Sequence, residues 1–423
     1  MSGDQSLLKR INRMALIRHV KAHPGLARGD LAALTGLAES TISVLVNELI
    51  DEGWLRAHDA PGGGGVGRRP QLLDLDTTRL APLGADLGVD YLSVVACDLR
   101  GEILSARRID YHHREVERSV RALAGLVARV HAALLAGGHR PLGVGVGVPG
   151  MVTTGGLLRL APNIGWRDVA VGPLLEAALA REGCGALELA VLNDADAAAL
   201  SEFVFGSPPV PTSLVFLNLG YGVGSGVVLS DGLHVGHDGL AGEVGHSILQ
   251  PGGIRCACGR RGCAETLLSQ RALSRAVSGR DEPVLPVAEL EARIRAGDAA
   301  AARAVAGAAE TLGLVMHNLV VTLDPEVLIV GGPLSRLDGL LEAAMVSMRA
   351  HAGENPSHRA TVRASRFGAD ACAVGAAGSV LQRSLTPLGR ATPWGGREAA
   401  EHRGPPAVSG GRRGRRAVSR AAR

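Results

Sequence analysis

Aromatic side chains are nearly missing from this chain of 423 residues: three Trp, three Tyr and four Phe amount to 2% of it. A core built with so few of them must be mostly aliphatic, within an apolar fraction of 46%. No run of about twenty uncharged apolar residues occurs, which argues against a bilayer-spanning helix. The opening "MSGDQSLLKRINRMALIRHVKAHPG" also lacks the long apolar core of a secretory signal. The chain therefore reads as soluble and cytoplasmic, with no membrane partner. Charge of one sign is scarce too, since the net value of +4 would not by itself indicate a nucleic-acid partner. Its distribution says more, because arginines cluster at Arg68 and Arg69, at Arg260 and Arg261, and in the C-terminal "GRRGRRAVSRAAR". Of the six cysteines, Cys97, Cys184 and Cys372 stand singly. They read as buried small hydrophobes in a reducing compartment, with no disulfide framework.

The length suits two or three domains. Residues 1–78 form the first. "NRMALIRHVKAH" spaces Met14, Ile17 and Val20 helically, and "ARGDLAALTGL" is a second short helix with Asp30 near its start and Gly36 breaking it. In "AESTISVLVNELIDEGW", Ile42, Leu45, Val46, Leu49 and Ile50 fall on one helical face. Glu39, Ser40, Thr41, Ser43 and Asn47 fall on the other. Two helices joined by a glycine-containing turn, the second with a polar outer face, are a helix-turn-helix pattern. "WLRAH" and "PQLLDLD" then pair as strands around the glycine-rich Gly62–Gly67, which makes a wing with Arg68 and Arg69 at its base, in reach of phosphates. The expected partner is a double-stranded DNA operator. Ser40, Thr41, Ser43 and Asn47 are placed to read bases or touch phosphates, and Asn suits bidentate contact with adenine.

From residue 79 the chain turns to apolar runs bounded by glycine: "PLGVGVGVPG", "LELAVLNDADAAAL", "SLVFLNLGYGVGSGVVL", "EVLIVGG". Buried strands alternating with helices such as 116–136 and 300–322 indicate an α/β architecture. Strand–glycine-turn units near Asp86 and Gly220 point to two lobes of related design with a cleft between them. This domain is expected to end near residue 388. Residues 389–423, rich in Gly, Pro, Ala and Arg without an apolar face, read as a basic disordered tail.

"GEVGHSILQPGGIRCACGRRGCAE" places three thiols within eight residues and an imidazole ten positions earlier. Zinc favours four N/S ligands in a tetrahedron, and closed structural sites often use three thiolates and one histidine. Cys256, Cys258, Cys263 and His246 are thus expected to bind Zn²⁺ in a loop over 246–263, with the metal as organiser and not catalyst. The second ring nitrogen of His246 stays free for a partner. Glu243 and Glu265 flank the loop, and carboxylates of fixed geometry suit the vicinal hydroxyls of a sugar.

"GEVGH…CACGRRGCAE" resembles the signature of the ROK family, which contains sugar kinases and sugar-responsive repressors. "APNIGW", "NDADAAAL", "GYGVGSGVVLSDGLHVGHDGLAGEVGH" and "VLIVGGPLS" are similar to its other segments. The N-terminal winged helix with "GRRP" resembles the repressor branch. The resemblance spans residues from about 6 to 388. It implies an actin/hexokinase-like, ribonuclease-H-like pair of lobes, assembled as a homodimer or homotetramer. It also implies sugar contacts from Asn163, Asn193, Asp194, Glu243, His246 and Glu265, and zinc on His246, Cys256, Cys258 and Cys263. In the kinase branch the residue matching Asp194 is the catalytic base.

Two readings of function compete. One is a sugar-responsive regulator, most simply a repressor, whose effector is a sugar or sugar phosphate. The other is an ATP-dependent, glucokinase-like sugar kinase with a fused DNA-binding domain. A third, a zinc-organised module sensing a protein partner, has no residue in its favour. Phosphoryl transfer needs backbone N–H groups and hydroxyls around the phosphates and Mg²⁺. The family's kinases supply Asp-x-Gly-Gly-Thr in the first loop, where this chain has "DLGVD". Val89 hinders close backbone approach, and Asp90 sets a negative charge where phosphate oxygens belong. The second loop has Tyr221 in place of threonine, while Gly222, Gly224 and Gly226 remain. Asp196, where the family often has Asn, reads as a further uncompensated negative charge. No catalytic role is therefore assigned. MgATP is expected to bind weakly or not at all, and calorimetry giving micromolar affinity would contradict this.

Overall fold

The computed structural model describes residues 2–59, 71–153, 155–206, 211–229, 232–353 and 360–385. The chain opens with α1 (Ser2–Ala22), β1 (Leu26–Ala27), α2 (Arg28–Thr35), α3 (Glu39–Asp51), β2 (Leu55–Asp59) and β3 (Gln71–Leu75). Gly36 ends α2 at φ 70°, a left-handed conformation that glycine adopts without strain. The turn sends α3 off at 117° to α2, within the range of helix-turn-helix pairs. α3 buries Ile42, Leu45, Val46 and Leu49, as the periodicity predicts, and Ile50 is half-buried. β2 and β3 pair antiparallel with Leu55 opposite Leu75. β1, which "HPGLARGD" does not announce, adds to β3 with Leu26 opposite Leu73. Helices and three-stranded sheet together form a winged helix. The wing's tip, with Gly62–Gly67, Arg68 and Arg69, lies outside the described residues, as does the tail 389–423.

The first lobe runs β4 (Leu80–Leu87), β5 (Tyr91–Cys97), β6 (Ile103–Asp110), α4 (Val116–Ala136), β7 (Arg140–Val148), a small sheet of β8 (Met151–Val152), β9 (Leu158–Ala161) and β10 (Trp166–Val169), then α5 (Val171–Arg181), β11 (Leu189–Asn193) and α6 (Asp194–Phe205). The second runs β12 (Ser213–Leu219), β13 (Val223–Leu229), β14 (Gly232–Leu233), α7 (Glu265–Leu268), α8 (Gln270–Ser278), α9 (Val287–Arg295), α10 (Ala299–Leu323), β15 (Val327–Gly331), α11 (Leu340–Ala352) and β16 (Thr361–Ala364). α12 (Ala371–Ser384) closes the chain of described residues.

The main sheets have the orders β11-β7-β4-β5-β6 and β14-β13-β12-β15-β16. In each, the first three strands form an antiparallel meander and the last two join parallel beside the first strand. The two lobes therefore repeat one topology, the ribonuclease-H-like arrangement of the actin/hexokinase fold.

α12 crosses back to the first lobe and lies on α6, β4 and β7. A Cβ on Gly145 would collide with the Ala376 carbonyl, and one on Gly375 with the Ala197 carbonyl. The glycines of "LGVGVGV" thus let helix backbone rest against strand backbone. The core is aliphatic as expected: Phe216 stands with leucines and isoleucine among the largest fully buried side chains. α4 and α10 are long and apolar enough to cross a bilayer by length and composition, although α4 carries Arg121 and Arg129 and α10 carries Arg303 and Glu310. Both are amphipathic and bury one face, α4 through residues such as Leu123 and Val127 and α10 through Leu312 and Met316.

The winged helix is not on a loose tether. Asp76 N–H donates to the Trp54 carbonyl at 3.0 Å, Arg79 to Ile50 O at 3.1 Å and Arg140 to Glu52 O at 3.0 Å. Lys21 at the end of α1 donates to the carbonyl of Val204, in the last turn of α6.

Candidate functional site

The cleft between the lobes collects all six residues expected to touch a sugar. Asn163, Asn193, Asp194, Glu243, His246 and Glu265 line it together with Asp86 and the Gly220–Gly222 turn between β12 and β13. Asn193 ends β11 and Asp194 begins α6, so the strand-to-helix switch sets them on the cleft floor. Glu243 and His246 sit on a single 3₁₀ turn, and Glu265 opens α7. His246 Nε2 lies 3.8 Å from Glu243 Oε2. That is too long for a hydrogen bond, but a hydroxyl between them would bond to both. Glu265 Oε2 accepts from the Val223 N–H at 3.1 Å. A Cβ on Gly222 would come within 2.6 Å of Glu265 Oε2 and 3.0 Å of Asn163 Nδ2, so only glycine lets the turn approach both side chains.

Asn193 already has work within the fold. Its Oδ1 accepts from Ala195 N at 2.8 Å and Asp196 N at 3.1 Å, and its Nδ2 donates to Gly150 O at 2.8 Å. It is the N-cap of α6, and it holds Asp194 in place while lining the cleft itself.

The cleft is crowded with acids. Burial, and then the neighbouring Asp86 and Glu243, push the Asp194 carboxyl up to about 7. Burial, and then Glu265, push Glu243 up to about 7. Asp196 is 3% exposed, and burial, with Glu243 and Asp194 behind it, holds its carboxyl well above the usual range. The sequence reading of Asp196 as a charge without a counterpart did not include this burial, which favours the neutral acid. The crowd favours ligands that donate hydrogen bonds, and sugar hydroxyls do.

His246, Cys256, Cys258 and Cys263 offer ligand atoms that all lie within 4.8 Å of one another. Cys256 Sγ is 3.7 Å from His246 Nδ1, and Cys258 Sγ is 3.8 Å from Cys263 Sγ. Zn–S bonds of about 2.3 Å in a tetrahedron give edges of about 3.8 Å, so the donor set fits zinc. Nδ1 faces this cluster and Nε2 faces the cleft. Burial lowers the His246 pKa, favouring the neutral imidazole that a metal requires.

In the first loop, side chains occupy the space above the backbone. The Tyr91 hydroxyl donates to Asp86 Oδ2 at 2.6 Å, and the ring lies where a Cβ on Gly88 would be. The Arg108 guanidinium stacks on its other face, 3.6 Å from the ring centroid. Sequence reasoning named Val89 and Asp90 here and missed Tyr91, whose ring fills the loop.

On the winged helix, Ser40, Thr41 and Asn47 are exposed on the outer face of α3, and Ser43 is half-buried. Arg28 donates to Asn47 Oδ1 at 2.9 Å, linking α2 to α3. Val44, 57% exposed on the same face, was missed because an apolar residue reads as core.

Residues 82–383 match the ROK family model, and residues 8–64 match that of the MarR family. The chain belongs to the ROK family. A xylose repressor of Caldicellulosiruptor bescii is 29% identical over 351 residues, which cover 79% of this chain and 86% of that one. A ROK-family glucokinase from Streptomyces griseus, solved with glucose and AMPPNP, is 28% identical with a TM-score of 0.64, covering 71% of this chain and 99% of that one. A ROK-family transcriptional regulator described as a homologue of the E. coli MLC protein shares the fold over a longer span. It covers 90% of this chain and 98% of its own, with a TM-score of 0.74 and 24% identity. The regulator's match takes in the winged helix, and the glucokinase's coverage is that of the two lobes.

Because folding raises the Asp194 carboxyl from 3.8 to about 7, its neutral form contributes stability that is complete below about pH 4 and lost as pH rises through about 7. Asp194→Asn removes this dependence. Its melting temperature should fall less than that of the parent chain between about pH 5 and pH 8. An equal fall in the two proteins would contradict the raised carboxyl.

Proposed function

We propose that this ROK-family chain is a sugar-responsive transcriptional repressor that binds operator DNA through its winged helix and a sugar in the interlobe cleft. One observation carries the reading: α6 begins at Asp194 in the cleft and ends where Lys21 of the winged helix docks on the Val204 carbonyl. At about 1.5 Å per residue, that one helix spans about 18 Å between the two sites. The name of the C. bescii relative supports a repressor role and makes a pentose one candidate effector.

On this reading, two copies present their α3 helices to successive major grooves of a near-palindromic operator, with Ser40, Thr41, Ser43 and Asn47 toward the bases. Arg68 and Arg69 add phosphate contacts that weaken with salt. Sugar hydroxyls bridge Glu243, His246 Nε2, Glu265, Asn163 and Asp194, close the cleft, and shift α6 with the winged helix. The sugar can shift this equilibrium only by its difference in affinity for the two states, so a hundredfold loss of operator affinity needs about 2.7 kcal/mol. Zinc on the three thiolates and His246 Nδ1 would fix the loop and the imidazole plane, so that Nε2 stays aimed at the cleft.

A kinase reading keeps Asp194 as a base near neutrality, but Tyr91 occupies the first loop and Asp90 adds negative charge there. A regulator needs neither a phosphate cradle nor Mg²⁺.

The test is fluorescence anisotropy of labelled DNA, titrated with the intact chain with and without sugar. Lys21→Met should leave sugar-induced thermal stabilisation intact yet lose most of the sugar's effect on DNA affinity. Cys256→Ser should weaken the sugar response before it weakens nonspecific DNA binding. Full sugar-dependent release in both variants would overturn the proposed coupling.

A further inference from the structure

We propose that the effector is a saccharide of at least two rings, and that a second sugar subsite, with Tyr221 as its platform, adjoins the hydroxyl clamp. The inference rests on the sugar-binding reading above and narrows the class of ligand. A cavity of about 450 Å³ lies beside the main cleft, within the range of small-molecule sites. Asn163, Tyr221 and Glu265 line both cavities, so a ring held by Glu265 has its next substituent facing the second space. One wall of that space is the Ile254–Gly259 stretch of the cysteine loop, and another is α8 with Arg271 and Arg275.

The paired charges on α8 point to hydroxyls and not to a phosphate. Arg275 is paired with Asp281 at 3.1 Å and donates to Thr266 O at 2.6 Å. Arg271 faces Glu282 at 3.5 Å. A phosphate site offers several guanidinium groups free to fork onto the anion, whereas the two on α8 are matched by carboxylates. Arg255, on the cysteine-loop wall, stands exposed, with no ion pair among the described residues. Alternating fixed donors and acceptors suit hydroxyls, which need one of each. Tyr221, one of three tyrosines in the chain, stands half-buried at the junction. Its hydroxyl donates to Glu282 Oε1 at 3.3 Å, which holds the ring as a flat apolar surface against which the C–H face of a second sugar ring can lie.

Calorimetry on the intact chain tests this with matched pairs: D-xylose and xylobiose, D-glucose and cellobiose, N-acetylglucosamine and its β-1,4 dimer. In at least one pair the disaccharide should bind about tenfold or more tighter than its monosaccharide, equivalent to about 1.4 kcal/mol. Tyr221→Ala and Arg271→Ala should each erase that gain, and Arg271→Ala, which lines the second space alone, should leave monosaccharide affinity within about twofold. Equal affinities within every pair, or variants that weaken both members alike, would overturn the second subsite alone. No binding of any sugar would overturn the hydroxyl clamp, and the subsite with it.

Discussion

Helix α6 is held by all three parts of the molecule at once, and the coupling of cleft to winged helix depends on that. Its first residue, Asp194, faces the cleft, and the Asn193 side chain caps its free N–H groups. Ten of its twelve residues are buried, and its carbonyls meet the glycine face of α12 without intervening side chains. Near its end Glu202, 1% exposed, accepts from Arg363 Nη2 at 2.9 Å, Ser365 Oγ at 2.8 Å and Arg366 N at 2.8 Å. These residues lie at and just beyond β16 of the second lobe. Lys21 from the winged helix takes the last turn. A close-packed element of this kind moves as a unit or not at all, and the proposed function uses that rigidity to tie lobe closure to the placement of the winged helix.

The chemistry of the cleft follows from a related constraint. Asp86, Asp194, Asp196 and Glu243 stand close together, and burial pushes all four carboxyls above the usual range. Such a site selects against anions and for neutral molecules rich in donors. The cysteine loop sets the remaining edge, since Cys256 lies 3.7 Å from both His246 Nδ1 and Glu265 Oε1. A metal held there would reach the sugar site through two side chains without touching the ligand.

Much of this was legible in the sequence, wherever local spacing alone decides the outcome. The apolar stripe of α3, the glycine turn before it, the two strands of the wing and the three thiols with their histidine are short-range patterns, and the structure keeps each of them. The duplicated lobes showed through strands that end in glycine turns. What stayed hidden depends on tertiary neighbours. Asn193 gives no sign of its bond to the Gly150 carbonyl, forty-three residues away. Asp196 gives no sign of its burial, which comes from residues far along the chain. Tyr91 reads as an ordinary strand residue until its ring is seen folded over Gly88. Arg28 gives no sign of its bond to Asn47, nineteen residues away.

The coupling of the two sites can be measured in reverse. If sugar loosens DNA by shifting one shared equilibrium, then DNA must loosen sugar by the same factor. Calorimetric titration of the sugar that binds best, with the chain free and then saturated with DNA selected by it from a random pool, reads that factor. The account predicts weaker sugar binding in the presence of DNA, by the factor with which sugar weakens DNA binding. Identical sugar affinity in the two titrations would contradict it.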